Sequence, residues 1–407
     1  MSNESMKRVA IIGGGAAGFF LAINLKEKCP QIDVTILERA NRVLRKVEVS
    51  GGGRCNVTNT FEGIRDLREV YPRGHRLLGR LFRRFDHRQA WQWFEQHGVR
   101  LVAQADHCVF PQSQDAHTII NLFESEARRL GVEVRTGCTV SSLDELSDYD
   151  YVCVATGGQP RRDGLLWLGQ DIVEPVPSLF TLSIGDASLT QLAGTVVPTP
   201  GVGMETATSP SVMIPGTKLR DEGPLLITHW GMSGPGILRL SSYAARHLAD
   251  VGYRAPLLVN WCGRAEADAV EAVSVMSREG GQRLITSVAP CGLPLRLWSY
   301  LAEKALGQRA HAPWNSLNAK ENRRLVNVLT ADEYQTTGRA PHRDEFVTCG
   351  GVALTAVNPH TLESRTRPGL FFAGEVLDID GVTGGFNFQA AWTTAYVVAD
   401  AIASQSA

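Results

Sequence analysis

Residues 7–28 read KRVAIIGGGAAGFFLAINLKEK, and VTILERA follows at 34–40. The first stretch joins an apolar run of strand length to a glycine-rich turn and a segment apolar enough for a buried helix; the second is a short strand. Together they predict a βαβ unit that opens an α/β domain. Gly13, Gly15 and Gly18 stand at GxGxxG spacing between predicted strand and helix. In that setting Gly13 permits the tight turn, Gly15 lets the backbone approach a diphosphate, and Gly18 lets helix and strand pack closely. Ala16 and Ala17 begin the helix, whose first N–H groups have no intrahelical partner and face an anion. Glu38 closes the second strand twenty residues after Gly18, where a carboxylate accepts hydrogen bonds from a ribose, with Arg39 beside it. An acid there suits FAD or NAD and disfavours a ribose 2′-phosphate. One such fingerprint occurs in the chain, so one resident dinucleotide is expected.

Two further motifs choose between the cofactors. SGGGRCN spans Ser50, Gly51, Gly52, Gly53, Arg54, Cys55 and Asn56. Three consecutive glycines weaken any regular element, so a backbone that comes close to a ligand is the reason to have them. Arg54 is suited to a phosphate or an anionic substrate, Lys46 precedes the loop, and Cys55 is a candidate acid or redox thiol, or else simply packed. Near the carboxyl end, PGLFFAGEVLDIDGVTGGFNFQAA predicts a strand ending at Gly374 and Glu375, an acidic loop containing Asp380, and Gly384 and Gly385 before a helix that starts near Phe386 and Asn387. Glu375 is placed to accept hydrogen bonds from sugar-alcohol hydroxyls. A helix N-terminus carries partial positive charge and suits the negative charge of a reduced flavin at N1 and O2. NAD has no group that needs a second helix terminus, so FAD is the expected cofactor.

The rest of the chain divides by texture. Residues 74–97 predict a helix, with Leu77, Leu78, Leu81, Phe85, Trp91 and Phe94 on its apolar side. AHTIINLFESEARRLG predicts another helix ending at Gly131, and YVCVATGG a strand that delivers Thr156 and Gly157. Residues 178–264 are rich in Thr, Val, Pro and Gly and predict strands; residues 265–330 turn helical, with Pro294 expected in a first helical turn and Asn318 with Glu321 as a capping box. The expected fold is α/β: a Rossmann-type, glutathione reductase-like FAD domain from 1–177 and 344–407, a β-rich insertion from 178–264 and 331–343, and a small helical domain over 265–330. In LLITHWGMSGPGIL, Ser-Gly-Pro should start a helix after a strand, and His229 and Ser233 are the candidate catalytic side chains, His229 as a proton donor or as a structural histidine.

The segments GGGAAG, SGGGRCNVTN, FPQS, ATGG, THWGMSGP, CGGV, TLESRTRPGLFFAGEVLDIDG and GGFNFQAAW closely resemble, in order and over nearly the whole chain, a bacterial family of FAD-dependent oxidoreductases. That family is a distant relative of the fumarate reductase and glutathione reductase flavoproteins. The resemblance implies the same three-part architecture. It also implies varied substrates, with aminoacetone oxidase-like, steroid-reducing and ribosomal RNA dihydrouridine synthase-like members. After ATGG the family usually continues with a longer glycine-rich stretch and a helix; here QPRRDG leads quickly to VEPVPSLF, a shortening beside the expected flavin that leaves FAD binding expected and weakens the transfer of substrate identity.

Composition bounds the function further. The 407 residues are 43% hydrophobic and 20% charged, an ordinary globular balance. Eight cysteines without a CxxC pair argue against a zinc site and fit reduced thiols in a cytoplasmic protein. The polar start, Met1 to Arg8, predicts no secretory signal, and the glycine-broken apolar run 9–25 predicts no membrane span. Net charge is −1, yet the segment from Arg39 to Arg100 holds fourteen Lys/Arg against six Asp/Glu, a local +8. That asymmetry marks either a solvated helix face or a surface that meets phosphates. Hydride transfer through flavin N5 is the expected chemistry, with an external electron donor or acceptor. The substrate is either a small molecule or a uridine of ribosomal RNA, reduced at C5–C6, and a flavin-binding protein without turnover is the remaining alternative.

Overall fold

The computed structural model describes residues 6–197, 209–341 and 347–406. The chain forms two compact units, Met1–Ser178 with Arg343–Ala407, and Leu179–His342.

The first unit is built on the predicted βαβ. Strand β1 (Arg8–Ile12) leads through the glycine turn into helix α1 (Ala16–Lys28) and returns as β2 (Asp33–Leu37). A five-stranded parallel sheet runs in the order Leu370–Phe372, Tyr151–Val154, β1, β2, Glu133–Arg135. The strand contributed by the carboxyl-terminal segment thus pairs with Tyr151–Val154, so both ends of the chain build one sheet. Parallel strands covered on both faces must be apolar throughout, which is why Val9, Ala10, Ile11 and Phe371 are fully buried. Helix α1 is buried from Ala17 to Leu25 and packs against the last helix, Phe386–Ser406. The packing between them is extended by Phe20, whose ring lies 4.5 Å from Trp93 and 5.1 Å from Trp392.

Helix α2 (Arg45–Gly53) is regular only at its start, since Ser50, Gly51 and Gly52 leave helical geometry. The single helix expected over 74–97 is two helices, α3 (His75–Leu81) and α4 (His87–Gln96). Asp86 makes the break: its carboxylate accepts from the Arg88 and Gln89 amides while the Gln89 side chain accepts from the Asp86 amide. Within α4, Trp93 is buried rather than Trp91.

The second unit carries an eight-stranded antiparallel sheet in the order Val196–Val197, Leu225–Ile227, Gly231–Ser233, Leu182–Ile184, Asp332–Arg339, Pro256–Asn260, Ser211–Met213, Arg220–Glu222. Helices Glu266–Glu279, Leu295–Leu306 and Ala319–Thr330 belong to this same unit. Asn318 and Glu321 form the capping box of the last. Pro294 is the N-cap residue of Leu295–Leu306, one position before the first helical turn. The parts of the expected β-rich insertion at 198–208 and 342–343 lie outside the described residues.

Candidate cofactor site

The three fingerprint glycines differ in what surrounds them. Gly13 has φ +112°, and a Cβ there would stand 2.4 Å from the Ala155 carbonyl oxygen. A Cβ on Gly18 would stand 2.0 Å from the Gly13 oxygen, so helix and turn touch at that point. A Cβ on Gly15 would meet nothing within 4 Å. The turn is therefore closed at its two outer glycines and open at the middle one. Gly15 is also the N-cap of α1, with no side-chain cap and no acid in the first turn. The amides at Ala16 and Ala17 begin a helix whose positive end is left for an anion.

Glu38 closes the turn from the other side. Its carboxylate accepts from the Gly14 amide and the Ala40 amide, each at 2.8 Å. A carboxylate has about four lone-pair directions, so two stay available for ribose hydroxyls. Gly14 is the site residue that the motif alone does not single out. It lies inside GGG, but only its pairing with Glu38 shows what it does. Arg39 is exposed at the end of the same strand.

The SGGGRCN loop shows which of its members are free. Gly52 and Gly53 have φ +68° and +81° and open space where a side chain would stand. Ser50 bonds the Val47 carbonyl, and Asn56 accepts from the Val109 amide. Arg54 stacks over the Phe110 ring at 4.2 Å and donates to the Gly51 carbonyl, which holds its guanidinium against the loop. Cys55 is completely buried, and burial pushes its thiol up to about 12. Burial that disfavours the thiolate speaks against redox or nucleophilic work by Cys55 and in favour of packing.

Glu375 and Lys46 meet. Lys46 Nζ donates to Glu375 Oε2 at 3.0 Å, and the Thr348 amide donates to Oε1 at 2.8 Å. Burial alone would lift the Glu375 carboxyl, but the Lys46 ammonium and the Thr348 and Gly158 amides hold it below the usual carboxylate range. Thr348 and Gly158 carried no sequence signal as partners, because their bonds form only once the ends of the chain come together. Thr156 and Gly157 follow the strand Tyr151–Val154, and a Cβ on Gly157 would lie 3.8 Å from Glu375 Oε2. The Gly374 amide donates to Thr394 Oγ1 at 2.8 Å.

Asp380 has a different position from the one expected of a cofactor ligand. It is fully buried, and its two oxygens take a bidentate fork from Arg73 together with the Ser178 hydroxyl. Its carboxylate is spent on holding the loop before the last helix. Gly384 and Gly385 lead into that helix as expected; a Cβ on Gly385 would stand 2.2 Å from the Thr58 oxygen, so this turn is pressed against the strand after SGGGRCN. Phe386 accepts at its carbonyl from Tyr71, and Asn387 bonds both the amide and the carbonyl of Gly381. The first turn of the helix contains no acid.

His229 and Ser233 lie in the second unit. His229 is exposed and lines a cavity of about 470 Å³ together with Asp186, Trp230 and Arg339. Ser233 accepts a hydrogen bond from Thr181 at 2.7 Å, and Ser-Gly-Pro starts helix Pro235–Tyr243 with the proline in its first turn. Among the described residues no helix is long and apolar enough to cross a membrane.

Known proteins resemble the chain over nearly its whole length. The family profile described as HI0933-like protein Rossmann domain matches residues 7–401. The chain is 26% identical to the 3-dehydro-bile acid delta(4,6)-reductase of Clostridium scindens, over 98% of this chain and 100% of that protein. It is 28% identical to the ribosomal RNA dihydrouridine synthase of Escherichia coli, over 97% of this chain and 98% of that protein. Among solved structures it is similar to 3-ketosteroid delta1-dehydrogenase from Sterolibacterium denitrificans, with a TM-score of 0.48 and 10% identity over 98% of this chain and 99% of that one.

Proposed function

The chain belongs to the HI0933-like Rossmann-domain family and is an FAD-dependent oxidoreductase, and from that premise we propose that it reduces the C5–C6 bond of a uridine in ribosomal RNA. The residues fit the cofactor. The open side of Gly15 and the uncapped start of α1 offer amides to the diphosphate, and Glu38 offers lone pairs to the adenosine ribose. Glu375, oriented by Lys46 and the Thr348 amide, offers a carboxylate to the ribityl hydroxyls. When bound, FAD supplies hydride transfer at N5. The positive end of helix Phe386–Ser406 is the group we assign to the charge that reduction places on the flavin pyrimidine ring. An imidazole is the side chain suited to exchange a proton near neutral pH, so His229 is the proposed general acid and Ser233 its proposed companion.

The observation that carries the RNA reading is the uneven charge. The segment from Arg39 to Arg100 holds eight more basic than acidic residues, of which Lys46, Arg73 and Arg84 meet acids from outside the segment, and it lies entirely in the unit that holds the dinucleotide fingerprint. A protein with a net charge of −1 gains nothing for solubility by concentrating arginine there, whereas a polyanionic substrate rewards it. The relative named ribosomal RNA dihydrouridine synthase supports the same reading. Reduction adds a hydride and a proton across C5–C6, and an external two-electron donor restores the reduced cofactor. Mass spectrometry of ribosomal RNA from cells with and without the gene tests this: the reading predicts one uridine heavier by two hydrogen atoms only when the protein is present, and identical nucleosides in both samples contradict it.

A second reading, reduction of a small enone, is favoured by the relative named as a bile acid reductase and by the cavity beside His229. Oxidation of the reduced flavoprotein by a steroid enone, but not by RNA, is the result that would select it.

A further inference from the structure

We propose that Arg76, Arg80, Arg83 and Arg88, on α3, the turn after it and α4, form a surface that binds the phosphates of single-stranded RNA. The proposal rests on the RNA reading above and says where on the protein the substrate is held.

The placement follows from packing. Leu77, Leu78 and Leu81 are buried, which turns Arg76 and Arg80 outward on the opposite side of α3. These two are four residues apart, about 6 Å along a helix axis and on one face. The Arg83 amide bonds the Arg80 carbonyl at 3.3 Å, so the turn after α3 continues the same path, and Arg88 stands in the first turn of α4. All four side chains are exposed, and among the described residues none of the four guanidinium groups has a hydrogen bond or ion pair.

Their neighbours behave differently. Arg68 pairs with Asp66, Arg73 with buried Asp380, and Arg84 with Asp400 and the His360 carbonyl. Arg84, which spacing alone assigns to the same cluster, is therefore a structural residue. The local acids are also occupied. Asp66 serves Arg68, Asp86 caps α4, Glu69 accepts from the Asp66 amide, and Glu62 lies 3.7 Å from His107. Glu95 sits two helical turns beyond Arg88. Cations left without partners over one short stretch of chain repel one another, and a chain of phosphates relieves that repulsion while releasing bound counterions. Guanidinium forks match phosphate oxygens in shape. A membrane surface fits less well, because the leucines of α3 point inward and leave no apolar side chain to insert between lipids.

The test uses flavin-loaded full-length protein and a fluorescein-labelled, single-stranded, uridine-containing RNA, followed by anisotropy over a salt series. The protein should bind, and replacing Arg76, Arg80, Arg83 and Arg88 together by Ala should make the slope of log affinity against log salt shallower by roughly 2.8, about 0.7 for each phosphate left without its arginine. Flavin content and melting temperature should match the parent, and replacing all four by Lys should keep most of the slope. Should the fourfold variant fail to fold, Arg80→Ala with Arg83→Ala should still show about half of that slope change. An unchanged slope in a folded variant overturns the surface, as does absence of salt-dependent binding by the parent. Phosphatidylserine vesicles that displace the RNA from the parent, and bind the Ala variant less well, would assign the surface to a membrane instead and overturn the proposal. The two readings fail separately: an unchanged slope with a heavier uridine in the cell sinks only the surface, and arginine-dependent binding with no heavier uridine sinks only the reductase reading.

Discussion

Lys46 and Glu375, 329 residues apart in the chain, form an ion pair at 3.0 Å that fastens the helix before SGGGRCN to the end of the last parallel strand. Glu375 raises the ammonium above the ordinary lysine value, and the Lys46 ammonium is the main influence drawing the carboxyl down against the effect of burial. The depressed carboxyl contributes stability that is present above its unfolded value and lost as pH falls through its folded one. The raised ammonium contributes stability that is full below its unfolded value and lost as pH rises through its folded one. Lys46→Met should therefore cost the flavin-free protein most near neutral pH and progressively less toward acid. Because Lys46 is 58% exposed, the cost should stay within about 1 kcal/mol. Denaturant titrations of both proteins across the pH range check this, and a difference that does not shrink in acid contradicts the pairing.

Glu38 holds the glycine turn through the Gly14 and Ala40 amides and still has acceptor directions to spare. Glu38→Ala should lower FAD affinity by tenfold or more, since hydrogen bonds to a charged acceptor contribute about 1.5–3 kcal/mol each. Glu38→Gln, which keeps one carbonyl acceptor, should lose less. Reconstitution of the apoprotein with FAD, followed by quenching of flavin fluorescence, measures both; equal affinity in all three proteins would remove Glu38 from the ribose.

Cys55 sits at φ +60° between Arg54 and Asn56, within the proposed flavin loop, but its thiol is buried, and burial disfavours the thiolate. Cys55→Ala should retain substrate reduction and lose only about 1 kcal/mol of stability for the missing sulfur packing. Stopped-flow oxidation of the reduced flavoprotein by substrate decides the point, and abolished oxidation in a variant that folds and holds FAD would make Cys55 a reacting group.

The parts of the fold legible in the sequence are those written locally. Strand, glycine turn, helix and the acid at position 38 are all contained in one stretch, and the outer glycines Gly13 and Gly18 have a steric reason that their positions announce. The break at Asp86 is legible too, as a D-x-x-Q capping box, but the continuous leucine and aromatic spacing from Leu77 to Phe94 masks it. What cannot be read depends on distant partners. Nothing near Asp380 in sequence says that Arg73 will take both its oxygens, and nothing near Arg84 says that Asp400 will pair with it while Arg80 and Arg83 stay free. Spacing tells which residues share a helix face, and packing decides which of them remain available.

The central claim is that the flavin diphosphate lies at the middle glycine of the fingerprint, against the start of α1. Gly15 and Gly18 separate this from mere folding. Gly15 has open space on its Cβ side and φ −97°, a conformation open to other residues, so Gly15→Val should leave the melting temperature of the apoprotein within a few degrees of the parent. Gly18→Ala, which would place its Cβ 2.0 Å from the Gly13 oxygen, should destabilise the apoprotein itself. The deciding measurement is the FAD dissociation constant of Gly15→Val by titration of the folded apoprotein. Our account predicts a loss of at least about a hundredfold, close to 3 kcal/mol, from a side chain set in the space meant for phosphate. Parental FAD affinity in Gly15→Val would contradict it.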